Sequence, residues 1–151
     1  MTTIPRTAMI LGLLGLVPFF WGALTAVFPT IGFAGGSFLG RFNGAQVMAD
    51  VGIVVLSFMS GILWGFAARA TGFTASLGYV LGAIPAIYVF LFVGAADPRA
   101  NLGILMFGFL ALLVLDRYFL MKRLAPDWWM RLRVPLTGLV SACMMVGLIA
   151  G

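Results

Sequence analysis

The chain has 151 residues, 63% of them hydrophobic and 9% charged, with a mean hydropathy of +1.16. That balance excludes a water-soluble globular domain, and 151 residues leave only loops once five membrane spans of about 20 residues are counted. His is absent, Cys occurs once and carboxylates number four, so no set of acid, base and nucleophile can be assembled and an enzyme is not expected.

The net charge of +5 falls on residues flanking apolar runs. There it meets the cytoplasm and anionic head groups, so nucleic acid is not an expected partner. Cys143 lies inside an apolar run and has no second Cys to pair with. The nine methionines are scattered through the spans and read as apolar filling, not as a copper site. No cofactor or metal is expected.

The first apolar run covers roughly 7–28. It is longer than a signal-peptide core, carries Pro18 in its middle and ends with Trp21 and Phe28 as interface residues, so it reads as a retained helix. A loop over 29–46 follows, with Gly32, Gly36, Gly40 and Gly44 at regular spacing and Phe33, Phe38 and Phe42 between them. It reads as a linker resting on head groups, with a half-inserted lid or docking surface as the alternative.

Further spans are expected at 48–68, 74–93, 101–121 and 134–149. The runs are continuous, not alternating, so only helices satisfy their backbone in lipid. The expected fold is all-α: one transmembrane domain, a bundle of five helices.

The basic residues sort unevenly. Arg6, Arg69, Arg117, Lys122, Arg123, Arg131 and Arg133 fall on the side of the N-terminus, and Arg41 and Arg99 fall opposite. The positive-inside bias then places the N-terminus in the cytoplasm and the C-terminus in the periplasm.

Small residues recur four apart within the spans, where they let helix backbones approach. The rows are Pro18, Gly22 and Ala26; Ser57, Gly61 and Gly65; Gly78, Gly82 and Ala86; and Gly138 with Ala142. Their first reading is packing within one protomer, with forming a dimer or docking to another membrane protein as the alternative. Pro18 and Pro85 break their helices and free the carbonyls of Leu14 and Leu81. Kinks relieved by neighbouring hydroxyls are the ordinary outcome; a solute site is the alternative.

Charges at membrane depth are the strongest candidates for a role, because burying one costs several kcal/mol without a partner. Asp50 stands at the outer end of the second span, and Asp116 with Arg117 about a turn inside the inner end of the fourth. Arg131, Arg133 and Lys122 are the expected partners of Asp116, a structural pair more than a proton carrier. The connector Leu124-Ala-Pro-Asp-Trp-Trp-Met-Arg-Leu-Arg-Val-Pro sets Trp128 and Trp129 at head-group level beside Arg131 and Arg133. Asp127 is placed to cap a short surface helix from near Trp128, and Pro135 to occupy the first turn of the fifth span.

Three segments carry a resemblance. Ile4-Pro-Arg with Leu11-Gly-Leu-Leu-Gly-Leu-Val-Pro-Phe, then Leu56-Ser-Phe-Met-Ser-Gly-Ile-Leu-Trp-Gly-Phe, then Ala125-Pro-Asp-Trp-Trp-Met-Arg-Leu-Arg resemble, in that order, the domain of unknown function 3429 family, to which the animal mitochondrial transmembrane protein 69 belongs. The resemblance implies a small polytopic protein of the bacterial inner membrane or its mitochondrial descendant, and no activity. It also marks departures: Leu63 stands before Trp64 where the family usually has a basic residue, and Val51 where a tyrosine is common. If that basic residue pairs with the carboxylate matched by Asp116, Arg117 is a neighbouring donor able to replace it.

The candidate structural or partner-contact residues are therefore Asp50, Ser57, Gly61, Trp64, Gly65, Asp116, Arg117, Trp128, Trp129, Arg131 and Arg133. The expected function is a non-catalytic accessory or assembly component of a larger membrane complex, touching lipids and another integral membrane protein. The alternative is a small transporter or channel for a neutral or lipid-like solute, motivated by Pro18, Pro85, Ser57 and Ser60.

Overall fold

A computed structural model describes residues 3–33, 42, 44–94 and 97–150. The helices are α1 (Arg6–Val27), α2 (Pro29–Phe33), α3 (Gly44–Ala67), α4 (Gly72–Phe92), α5 (Pro98–Met121) and α6 (Trp129–Ala150). All but the short α2 are long and apolar enough to cross a membrane, since about 1.5 Å per residue carries each past roughly 30 Å of hydrocarbon.

Two helix starts differ most from expectation. Helix α3 begins at Gly44 instead of Met48, so the expected 29–46 loop shrinks between α2 and the first turn of α3. Of that loop, Gly36, Phe38, Gly40 and Arg41 lie outside the described residues. Helix α6 begins at Trp129 instead of Val134, which absorbs the expected surface helix into the span and leaves Pro135 well inside it, not in its first turn. The polar residues Arg131 and Arg133 hid this start from a hydropathy reading, because helix geometry tolerates charge wherever a side chain finds water or a partner.

Local chemistry sets the other ends. Asp97 caps α5 by accepting from the Ala100 amide at 3.0 Å, with Pro98 in the first turn, where its missing N–H costs nothing. At the far end Arg123 takes a left-handed φ of 58° and the Leu124 amide donates back to the Phe119 carbonyl at 2.9 Å, closing the helix.

Helix α3 is the hub: it packs on α1, α4, α5 and α6. Its buried residues Met48, Gly52, Leu56, Met59, Leu63 and Ala67 recur every three or four positions and form one stripe. The facing stripe of α5 holds Leu102, Leu105, Phe109, Leu112 and Phe119, with Phe19 of α1 edge-on to Phe109 at 6.3 Å and 86°. Lipid tails are as apolar as leucine, so this core is held by packing and polar ties more than by release of water.

Close approach between α3 and α4 depends on glycine. A Cβ at Gly78 would stand 2.8 Å from the Ala67 Cβ, and one at Gly82 would stand 3.0 Å from the Trp64 ring. The α4 row therefore packs internally, as does Gly22 of α1 against Met48 and Val47. The row Ser57, Gly61 and Gly65 does not: Gly61 and Gly65 are exposed and meet nothing within 4 Å, and Gly138 of α6 is likewise open. This corrects the expectation of internal packing for those two rows. Spacing identifies a smooth face, but the rotation of the helix decides where it points.

A hydroxyl from α3 enters the α4 ladder beside Pro85. The Ser60 hydroxyl donates to the Gly82 carbonyl and accepts from the Ala86 amide at 3.1 Å, inserting into one rung of the α4 ladder. The hydroxyl thus sits one residue along from the Leu81 carbonyl that Pro85 leaves without its usual donor. Two ties hold the opposite seam, between α1 and α3: the Trp21 indole donates to the Phe42 carbonyl at 2.6 Å, and the Gly44 amide donates to Thr25 Oγ1 at 2.7 Å.

Gly78→Leu is expected to lower the stability of the detergent-solubilised protein by about 1–3 kcal/mol through overpacking. Gly61→Ala should be neutral or slightly stabilising, since the site is open and alanine is the better helix former. Thermal unfolding of the two variants side by side measures the contrast.

Candidate functional site

The α5 stripe contains one residue that lipid physics disfavours. Asp116 continues the register of Leu105, Phe109 and Leu112, so the rotation that buries those residues also buries its carboxylate, which is 0% exposed. The charge is answered from α6. Arg133 Nε donates to Asp116 Oδ2 at 3.1 Å, and Trp129 Nε1 donates to Oδ1 at 2.9 Å. Trp129 and Arg133 stand four apart, hence on one face of α6, which is what lets both reach the same carboxylate.

The pair is enclosed by aromatic rings. Phe66 of α3 meets Trp129 edge-on at 5.1 Å and 87° and lies 6.3 Å from Phe119 of α5. Three helices thus converge on a desolvated Asp–Arg–Trp cluster. Removing either charge alone leaves the other stranded, while two apolar residues of similar volume leave neither.

A second tie lies nearby at the same end of the bundle: Arg69, in the α3–α4 turn, donates through Nη1 to the Leu124 carbonyl of the α5–α6 connector at 3.1 Å. The Lys122 ammonium sits 5.8 Å from the centre of the Tyr118 ring.

The structure separates the other sequence candidates from this cluster. Arg117 and Arg131 are exposed, and the carboxylate takes Arg133 and Trp129 as its donors. An adjacent helical residue points about 100° away, so Arg117 is badly placed to replace a missing partner. Trp128 is half-buried, while Trp129 is 7% exposed and serves as an internal donor instead of a head-group anchor. Its spacing from Arg133 was the available signal; reading the paired tryptophans as interface residues concealed it.

At the opposite end Asp50 is exposed and accepts from Gln46 Nε2 at 2.8 Å, one helical turn away. Leu63 is fully buried in the core. Its neighbour Trp64 is 51% exposed, donates to the Tyr79 carbonyl at 3.0 Å and packs on the Tyr79 ring at 4.9 Å.

Around Trp64 a shallow groove runs between α3 and α4, lined by Ser57, Gly61, Gly65, Ala83 and Ala86. Its floor is mostly small residues, and Trp64 at its centre is pinned by a hydrogen bond to the Tyr79 carbonyl. Such a surface accepts another helix closely.

Five apolar membrane-length helices around a buried ion pair define a multi-pass helical membrane protein. The chain belongs to the family described as protein of unknown function (DUF3429), whose model matches residues 4–149. No curated protein and no solved structure matches it.

Arg133→Leu is expected to cost about 3–5 kcal/mol by stranding the Asp116 charge. The double variant Asp116→Leu with Arg133→Leu should recover most of that loss. Thermal unfolding of the two single variants and the double one gives the coupling; additive losses would mean that the pair does not act as a unit.

Proposed function

We propose that this protein is a non-catalytic accessory or assembly subunit of a larger complex in a bacterial inner membrane, with its basic end in the cytoplasm and Gly151 on the periplasmic side. The observation that carries the reading is the outward row Ser57, Gly61 and Gly65 beside Trp64. A helix that spends small residues on its lipid side gains nothing from lipid, which fills gaps with its own chains, but gains close backbone contact from a partner helix.

The share of each span buried inside the protein supports it too. Only 22% of the residues in the most hydrophobic stretch of α4 are buried inside the chain, against 44% for α3, so α4, beside the groove, leaves side chains exposed for a neighbour. The proposed orientation rests on charge: Arg6, Arg69, Arg117, Lys122, Arg123, Arg131 and Arg133 gather at one end, where they meet the cytoplasm and anionic lipid.

A small transporter of a neutral solute is the second reading, and less supports it. The hydroxyl of Ser60 is already taken up by the Gly82 carbonyl and the Ala86 amide, so it is not offered to a passing solute.

Gly61→Leu fills the groove without touching the core, so the variant should fold and reach the membrane at the usual level. In mild detergent it should migrate as a smaller species than the parent chain, with companions lost. An unchanged native complex would remove the groove as the docking surface. A periplasm-active reporter fused after Gly151 is expected to be active; activity of a cytoplasmic reporter there instead would reverse the orientation.

A further inference from the structure

The row that begins with the ion pair continues into the bilayer. Trp129, Arg133, Thr137 and Ser141 follow at four-residue spacing along one face of α6. Arg133 spends Nε on Asp116, but its Nη2 is buried and has no partner among the described residues. The same is true of Thr137 Oγ1 and, one turn further, Ser141 Oγ. Arg133 is 6% exposed and Thr137 1%. Hydroxyls of helical Thr and Ser ordinarily return to the carbonyl one turn back, and a guanidinium ordinarily presents two nitrogens to a carboxylate. Neither pattern holds here.

Arg133 and Thr137 line one cavity of about 60 Å³ between α1 and α6, floored by Phe19, Val55 and Phe109. Its edge on α1 is Gly12 and Gly15. Gly15 is exposed, and a Cβ there would meet nothing within 4 Å, so the cavity opens past it toward the lipid.

We propose that this cavity is a binding site for a small neutral oxygen acceptor, held by Arg133 Nη2 and the Thr137 hydroxyl. Charge argues for a neutral guest: Asp116 already balances the guanidinium, so an anion would add an uncompensated charge in a low dielectric. Size argues for a small one. The cavity has under half of the roughly 150 Å³ that admits benzene, yet holds about two waters at roughly 30 Å³ each. Two sources supply that chemistry, water from the basic end or the ester carbonyl of a lipid entering past Gly15, and both leave apolar walls around a single polar contact.

The test is a structure of the full chain at a resolution that shows ordered solvent, determined in dodecyl maltoside and again in nanodiscs of diester phosphatidylcholine. Oxygen density is expected inside the cavity, within about 3.2 Å of Nη2 and of Thr137 Oγ1, as one oxygen or a linked pair. Density in both media identifies water. Density only in the nanodisc, lost in the Gly15→Leu variant that closes the mouth, identifies the lipid carbonyl. A cavity without density in either medium, with Nη2 turned onto Asp116 and the Thr137 hydroxyl on its own helix, overturns the proposal.

Thr137→Val supplies a second readout whose sign separates the cases, because it is close to isosteric and should fold. A hydroxyl that holds a guest makes the variant melt lower, by about 3 °C. A hydroxyl that holds none makes it melt at the same temperature or higher, which likewise overturns the proposal. Thr137→Ser should restore the parent value.

Discussion

A carboxylate buried near the C-terminal end of α5 governs how the bundle closes. Asp116 has no water to turn to, so some other element must bring donors to it, and the free energy at stake is several kcal/mol. Helix α6 supplies them from two successive turns, Trp129 and Arg133. That requirement fixes the rotation of α6 and carries helix to Trp129, five residues ahead of the apolar run that begins at Val134. It also couples α6 to α3, since the indole that bonds the carboxylate stacks edge-on against Phe66.

Around this fixed point the remaining contacts divide by chemistry. Apolar stripes on α3 and α5 interlock without much net gain from leaving lipid, so specificity falls to close backbone approach and to polar ties. The α3–α4 seam uses both, with Gly78 and Gly82 admitting Ala67 and Trp64, and Ser60 bonded into the ladder beside Pro85. At the basic end, Arg69 to the Leu124 carbonyl does for two connectors what the ion pair does for two helices. The surfaces left over are those proposed for recognition: the groove at Gly61 and Gly65, and the polar row below Arg133.

Prolines and hydroxyls illustrate why interior polar groups in a membrane helix are informative. A freed carbonyl or an unpaired hydroxyl has no solvent to fall back on, so each must be traced to a partner. Ser60 has two, and Thr25 binds both its own helix and the start of α3. Thr137 and the outer nitrogen of Arg133 have none among the described residues, which is why the cavity they share stands apart from the rest of the interior.

Membership of the membrane class, the number of spans and their approximate limits were legible in the chain itself, because backbone desolvation demands about 20 apolar residues per crossing. The family was legible too, from segments at Ile4, Leu56 and Ala125. Partners and facing directions were not. Asp116 had several basic residues within plausible reach, and only the rotation of two helices about their axes selects Arg133 and turns Arg117 and Arg131 outward. The same rotation sends Gly78 and Gly82 inward and Gly61 and Gly65 outward, although all four sit in rows of identical spacing. Periodicity defines a face; packing against neighbours far away in sequence decides what that face meets.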